Sequence, residues 1–270
     1  MKLAYYIKDS RLELDPRVLA LLAELGAAGF DVAPVTQGAD IPEGAEMLLS
    51  FGGDGTFLSA AALAREASLP VLGVNFGRLG FLSENKPVEI VDALLRKDYS
   101  IEKRGMVSVN GWSLADGTCY ALNEVCVSRE GAAMLGIDVS VDGRPLPTYW
   151  ADGLLVATSS GSTAYSLSAG GPICMPDARV LIISPVAPHN LNVRPLVVPD
   201  TAAVSISFRS RDEVVRLTVD NRGFTIPASC RLSVAAVPEA MDMVVLGGSN
   251  FIEALQARLL WGEDVRNNNQ

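Results

Sequence analysis

The hydrophobic and polar positions of this chain fall into two textures. Up to about residue 100, short apolar runs alternate with stretches of helical spacing. Leu3 to Ile7, Phe30 to Val35, Met47 to Phe51 and Val71 to Val74 have the length and apolar density of buried strands. Between the first two, Val18, Leu21, Leu22 and Leu25 recur at helical spacing. They follow Asp15-Pro16, a capping residue with proline at the first helical position, and Gly26 and Gly29 end the run. Good helix formers fill Phe57 to Ala67, and Ile90, Val91, Leu94 and Leu95 share one side of a helix over Pro87 to Lys97. Strands alternating with helices predict an α/β domain with a parallel sheet covered on both faces.

Beyond residue 100 the period becomes two. Ile137, Val139 and Val141 precede an Asp142-Gly143 turn; Val204, Ile206 and Phe208, then Val215, Leu217 and Val219, repeat the alternation. Strands with one buried face joined by turn residues predict a β-rich, largely antiparallel, sandwich-like domain. Helical spacing returns through Ile252, Leu255 and Leu259. The expected organisation is an α/β domain over 1–100, a β-rich domain over 101–248, and a segment 249–264 packing back on the first domain. The boundary falls in Ser100 to Met106, and 265–270 reads as a frayed tail.

Charge and composition narrow the function. A net charge of −9, from 22 basic and 31 acidic residues, offers no global attraction to nucleic acid or to an anionic membrane. Any anionic ligand must be gathered locally. No apolar run approaches the ~20 residues that span a bilayer. MKLAYYIKDS carries charges where a signal core would lie, so a cytoplasmic location is expected. Cys119, Cys126, Cys174 and Cys230 show no C-x-x-C pairing, which argues against a zinc site or a disulfide framework. His189 is the only histidine, so a Ser-His-Asp triad would have to run through it and multi-histidine metal sites are excluded. It lies in Pro-Val-Ala-Pro-His-Asn, where a loop-packing role is expected.

Three stretches carry candidate chemistry. Ser50-Phe51-Gly52-Gly53-Asp54-Gly55-Thr56 places three glycines and a carboxylate between a strand and a helix. Such a turn brings backbone N–H groups and a helix N-terminus to one spot, a layout suited to phosphate. The alternative is an ordinary loop capped by Asp54 or Thr56. In residues 150–172, seven of 23 residues are Ser or Thr, offering neutral hydrogen bonds to sugars, amides or phosphates. The same residues also suit a turn-rich connection. Asn123-Glu124 is a polar pair in the apolar stretch 121–127, which needs a partner from the protein or from a ligand.

Taken together these segments resemble the NAD kinase family, over roughly residues 1 to 260. Phe51 to Thr56 looks like its first signature, Asn75 to Leu82 like its Asn-x-Gly-x-x-Gly-Phe-Leu segment, and Leu122 to Val125 like its Asn-Glu pair. Asp152-Gly153 and Ser160 to Pro172 are similar to its longest signature, and Arg194 to Pro199 follows in family order. The Gly-Gly-Asp-Gly turn alone is shared with diacylglycerol-type lipid kinases and phosphofructokinases; the ordered set is more specific. The resemblance implies a kinase that phosphorylates the 2′-hydroxyl of the adenosine ribose of NAD. Its donor would be ATP, or inorganic polyphosphate, with a divalent metal such as Mg²⁺, and it would work as a homodimer or homotetramer.

Carried over by position, Asp54 would be the catalytic carboxylate, Gly55 would contact the dinucleotide and Phe81 would line the adenosine site. Asn123, Glu124 and Asp152 would hold NAD together with Ser160, Thr163, Ala164, Tyr165, Ser166, Leu167 and Ser168, and Ala187 lies in a loop reaching that site. The two domains would enclose the site in a cleft, and no residue is assigned as a metal ligand. A carboxylate near the ribose hydroxyls would also disfavour NADP through like charge. The chain departs from the family at three places: Ser59 and Trp150, where basic or polar residues are common, and Asp220-Asn221-Arg222, where many members read Asp-Gly-Gln. These leave donor choice open, with Arg222 a possible source of charge. The rival readings are a lipid or sugar kinase on the same turn, and a catalytically silent dinucleotide-binding sensor.

Overall fold

The structure, a computed structural model, describes residues 1–35, 41–77, 80–112, 117–248 and 250–261. Arg78 and Leu79 of the second glycine segment, Ser249, and the tail beyond residue 261, with the stretch expected to fray, lie outside the described residues. The chain divides into two compact units, Met1–Glu102 with Asp242–Gln270, and Lys103–Met241.

The first unit runs β1 (Lys2–Ile7), a 3-10 turn (Ser10–Leu14), α1 (Pro16–Ala27), β2 (Asp31–Val35), β3 (Met47–Gly52), α2 (Asp54–Ala67), β4 (Val71–Asn75) and α3 (Pro87–Arg96). The start of α1 follows the local code, since the Asp15 carboxylate accepts the Arg17 N–H and Pro16 opens the helix. Its end does not fall at Gly26, which stays helical; Gly29 takes the left-handed conformation just beyond the cap. β1 lies between β2 and β3, and β4 follows β3, all parallel. Every residue of β3 and β4 is buried, as expected for strands covered on both faces. Leu3, Leu49, Phe51, Leu72 and Val74 pack with Val18, Leu21 and Leu25 of α1 and with Ile90 and Leu94 of α3. Because the strands are parallel, the turns after β1, β3 and β4 open at one end of the sheet.

The second unit is nearly all strand. It takes in β5 (Tyr99–Asn110) from Lys103 on, β6 (Cys119–Ala121), β7 (Glu124–Arg129), β8 (Leu135–Val141), β9 (Arg144–Pro145), β10 (Tyr149–Ala151) and β11 (Gly153–Thr158). A 3-10 turn (Ser160–Thr163) and the single turn α4 (Tyr165–Ser168) follow. Then come β12 (Val180–Val186), β13 (Leu196–Pro199), β14 (Val204–Arg209), β15 (Val214–Val219), β16 (Arg222–Pro227) and the start of β17 (Arg231–Leu246). One sheet orders β10-β8-β14-β17, with β5 and β6 joined at β17 and β9 at β8. The other orders β13-β12-β11-β7-β15-β16 and is antiparallel throughout. Val139, Ile137 and Ile206 of the first sheet share a core with Val127, Leu154, Ile183 and Leu217 of the second. The Asp142-Gly143 turn closes the β8–β9 hairpin with both residues at positive φ, 50° and 75°.

Two expectations change. The stretch 150–172 is not one turn-rich connection: β11 is a central strand buried along its whole length. Its second face is covered because Cys126, Leu155, Ala157 and Ile182 pack against Ala169, Cys174 and Val186. The return to the first unit begins at Asp242, earlier than residue 249, because β17 runs on as a parallel neighbour of β4 through Met243 and Val71. α5 (Phe251–Leu259) follows, capped by Asn250, whose side chain accepts the Ile252 N–H.

Leu49 has no exposed surface, whereas Val88 on α3 is 81% exposed. Leu49→Ala is expected to cost about 2–5 kcal/mol of unfolding free energy in urea titrations, and Val88→Ala less than about 0.5 kcal/mol. Similar losses for both would contradict this placement of the core.

Candidate active site

Asp54 is the first residue of α2, and the helix is capped by Gly53 without any side-chain bond. Neither Asp54 nor Thr56 therefore plays the capping part. The Asp54 carboxylate instead turns to the segment after β4. Its Oδ2 accepts the Phe81 N–H at 2.8 Å, and its Oδ1 accepts the N–H groups of Leu82 at 3.0 Å and Ser83 at 2.9 Å. A Cβ on Gly80 would lie 1.9 Å from Asp54 Oδ1, so only glycine allows this approach. The segment is tied down further, since Ser83 Oγ donates to the Gly52 carbonyl and Asn75 Nδ2 donates to the Ser83 carbonyl. Asp54, Gly55 and Phe81 are thus gathered at the carboxyl end of the parallel sheet.

Beside the glycine turn lies an open depression of about 550 Å³ lined by Lys8, Asp9, Ser10, Gly53, Gly55 and Thr56. Its one carboxylate is matched, because Arg11 bonds Asp9 at 2.6 Å and holds that carboxyl below its usual range. Ser59, standing where a basic residue is common in the resembling family, donates to the Gly55 carbonyl at 3.4 Å.

In the second unit the Asn123-Glu124 pair does not lie inside one strand. The chain bends at residues 122 and 123, between β6 and β7. The bend leaves three successive N–H groups without a ladder partner, and Asp220 takes them all. Leu122 donates to its Oδ2 at 2.7 Å, and Asn123 and Glu124 donate to its Oδ1 at 2.8 and 3.2 Å. The Asp220 N–H returns a bond to the Glu124 carbonyl at 3.0 Å. Asp220 itself sits at φ 51°, in the two-residue turn between β15 and β16.

The side chains raised by this bend are left wanting. Among the described residues Asn123 Oδ1 and Glu124 Oε2 are buried without a hydrogen-bond partner. Burial first, and then the Asp220 charge, pushes the Glu124 carboxyl up to about 8; the Tyr165 N–H, which it accepts, works the other way. Cys126 lies close by, its thiol pushed up to about 12 by burial and by Glu124. Glu124 is therefore a neutral acid at pH 7, able to donate where Asn123 Oδ1 accepts.

The serine-rich loop packs on the same bend. Thr158 Oγ1 donates to the Leu122 carbonyl at 2.6 Å and accepts the Gly161 N–H at 3.0 Å. A Cβ on Gly161 would sit 2.1 Å from the Asn123 carbonyl oxygen, so the glycine permits contact between the two segments. Ser160 is buried, Thr163, Ala164 and Leu167 are half-buried, and Tyr165 and Ser168 are exposed. Ser166 is fully buried with its Oγ 3.5 Å from Ser184 Oγ, a core contact. Asp152 pairs with Arg129 at 2.7 Å, and its N–H donates to the Val186 carbonyl, one residue before exposed Ala187 at φ 46°. Burial and then the charges of Asp152 and Glu124 raise the Tyr165 hydroxyl above its usual value, so Tyr165 lies within electrostatic reach of both carboxylates, which stand toward opposite ends of β11. His189 is exposed, and its N–H donates to the Trp150 carbonyl.

Asp220, Thr158, Arg129 and Arg258 were not singled out as site residues by sequence. Asp220 meets its partners across 96 to 98 positions, and what marks it locally is its place in a hairpin turn and in the Asp220-Asn221-Arg222 stretch noted above, neither of which points to the bend it holds. Arg222, offered above as a source of charge, donates to the Tyr120 carbonyl.

Comparison with known proteins gives a consistent answer. A family model described as ATP-NAD kinase N-terminal domain matches residues 35–98, and one described as ATP-NAD kinase C-terminal domain matches residues 122–246. The NAD kinase of Flavobacterium psychrophilum is 38% identical over 261 residues, covering 94% of this chain and 89% of that protein. The NAD kinase of Porphyromonas gingivalis is 42% identical over 233 residues, covering 84% and 80%. Among solved structures, yeast NADH kinase complexed with NADH has a TM-score of 0.82 at 19% identity, covering 99% of this chain and 89% of that one. An NAD kinase from Archaeoglobus fulgidus in complex with ATP has a TM-score of 0.79 at 25% identity, covering 96% and 99%. With both family models matched in order and relatives this similar over most of their length, the chain belongs to the NAD kinase family.

Proposed function

We propose that this chain transfers the γ-phosphoryl group of ATP to the 2′-hydroxyl of the adenosine ribose of NAD, giving NADP. The observation that carries the substrate reading is the pair of buried, unpartnered atoms on Asn123 and Glu124. Buried polar atoms are as a rule hydrogen-bonded, and two unpartnered ones on adjacent residues of a bend otherwise fully bonded suit a ligand that completes them. An acceptor beside a donor suits the hydroxyls and base edge of an adenosine. Tyr165, whose N–H bonds Glu124, together with Ser160, Thr163, Ala164, Leu167 and Ser168 around it, and with Asp152 and Ala187 toward the other end of β11, would take the rest of the dinucleotide, with Ser166 holding that turn from the core. Inorganic polyphosphate is the alternative donor that the same glycine turn would accept.

Phosphoryl transfer passes through a loose transition state, so the protein's work is positioning and charge. The amides of the glycine turn and Lys8, on the wall of the adjoining depression, would hold donor phosphates, with Lys8 supplying charge that Ser59 does not. Among the described residues no three metal-ligating side chains converge. Mg²⁺ would arrive with ATP and neutralise charge on its phosphates. Three of the four lone-pair positions of Asp54 are taken by amides, and the remaining one on Oδ2 would accept and orient the 2′-hydroxyl. Asp54 thus serves the loop and the reaction at once. Free thiols at all four cysteines suit a reducing cytoplasm.

Incubating the pure chain with NAD, ATP and Mg²⁺ should give NADP. NAD binding without product would favour the silent sensor, and neither binding nor product would favour a lipid or sugar kinase. Asp54→Asn is expected to lower kcat by at least about 100-fold. Its amide NH₂ must face a backbone donor on one side, so NAD binding should weaken as well; wild-type turnover would remove Asp54 from the reaction. For Glu124 the fold raises the carboxyl from 4.5 to about 8, so its contribution to stability is full below 4.5 and is lost as pH rises through 8. Between about pH 5 and pH 9, the melting temperature of the wild type should therefore fall relative to Glu124→Gln. Parallel melting curves would show that Glu124 is not held neutral.

A further inference from the structure

We propose that Arg258, on the returning helix α5, is a positioning residue for the loop that carries Phe81, which makes α5 part of the nucleotide site. The proposal rests on the reading of Phe81 as a wall of the adenosine site. The Arg258 side chain is only 6% exposed. Its guanidinium carbon lies 4.6 Å from the centre of the Phe81 ring, and Nη2 donates to Glu84 Oε2 at 2.9 Å. Phe251, at the start of α5, meets the same ring at 6.1 Å. One residue thus grips the loop by two side chains, at positions 81 and 84, while Asp54 grips it by the N–H groups of residues 81 to 83.

A structural role alone accounts poorly for this arginine. Among the described residues its Nε and Nη1 are buried without an acceptor, so the ion pair with Glu84 uses only part of its donor set. An apolar side chain of similar length would fill the same space without burying a charge. What an apolar chain lacks is the flat guanidinium, which fixes the plane of an aromatic ring and the place of a carboxylate together. That geometry matters if the Phe81 ring must present a set face to a base.

The test uses the full chain, with NAD as the varied substrate and direct NAD binding by calorimetry. R258M/E84Q removes both charges together and leaves no orphaned carboxylate. It is expected to melt within a few degrees of the wild type while NAD Kd and KM rise on the order of tenfold, with kcat at saturating NAD changed far less. R258K keeps the ion pair but loses the planar stack, and should raise Kd by about threefold. A lowered melting temperature with unchanged NAD Kd in R258M/E84Q would make Arg258 merely structural and overturn the proposal. If the double variant does not fold, an unchanged Kd in R258K does the same. F81A separates the two readings. Unchanged Kd in F81A overturns the adenosine-site reading and the proposal with it. Weaker binding in F81A beside unchanged binding in R258M/E84Q overturns only the role of Arg258.

Discussion

A bent backbone must place its N–H groups somewhere, and in this chain two carboxylates take them three at a time. Asp54 accepts from Phe81, Leu82 and Ser83, and Asp220 accepts from Leu122, Asn123 and Glu124. Neither segment has a sheet ladder or a helix to satisfy those donors, and each buried donor left over would cost on the order of 1–3 kcal/mol. The carboxylates therefore let irregular backbone persist where regular structure would bury the groups a ligand needs. Each loop is irregular in shape yet firmly held. The glycines beside them serve the same end. Gly80 and Gly161 stand where a Cβ would meet Asp54 and the Asn123 carbonyl, so they serve close approach between segments rather than looseness.

This explains which parts of the molecule were legible in its sequence. Helices and strands announce themselves locally: Asp15-Pro16 starts α1, alternation marks β8, β14 and β15, and Asp142-Gly143 closes a hairpin. Those signals live within a few residues, and secondary structure obeys them. The bend at 122–123 has no such signal, because it is sustained by Asp220 from across the sheet, and the run 121–127 reads as one strand. The same blindness applies to Asp54. Its position after a glycine pair looks like that of a cap, and only the fold brings residues 81 to 83 within reach. β11 misleads for another reason: Ser and Thr just beyond it give the segment a loop-like composition, while its own six residues are buried on both faces.

A net charge of −9 sets the remaining problem, since both nucleotides under the proposed function are anions. The carboxylates that would face the dinucleotide are handled one by one. Asp152 is matched by Arg129. Glu124 is made neutral, and the division between it and Asp220 follows from their donors. Both carboxyls are raised by burial, but Asp220 has three amides and the Arg222 charge to support ionisation, whereas Glu124 has the Tyr165 amide alone. When two neighbouring acids have environments this unequal, the proton settles on the poorer one. Glu124, raised to about 8, is accordingly the one of the two that would donate at pH 7.

That assignment alters how such a site would tell NAD from NADP. The expectation is of a carboxylate near the ribose hydroxyls that disfavours a 2′-phosphate; a protonated Glu124 would repel nothing, and Asp152 carries its own counter-charge. Asp54 differs from both. Among the described residues the groups that bond it are backbone amides, which fix its position without bringing a formal positive charge. Under the proposed function the residue that orients the 2′-hydroxyl is therefore also the one whose charge rejects the phosphorylated product. Acceptance of the substrate and release of the product then rest on a single side chain, which is why its position is so heavily bonded.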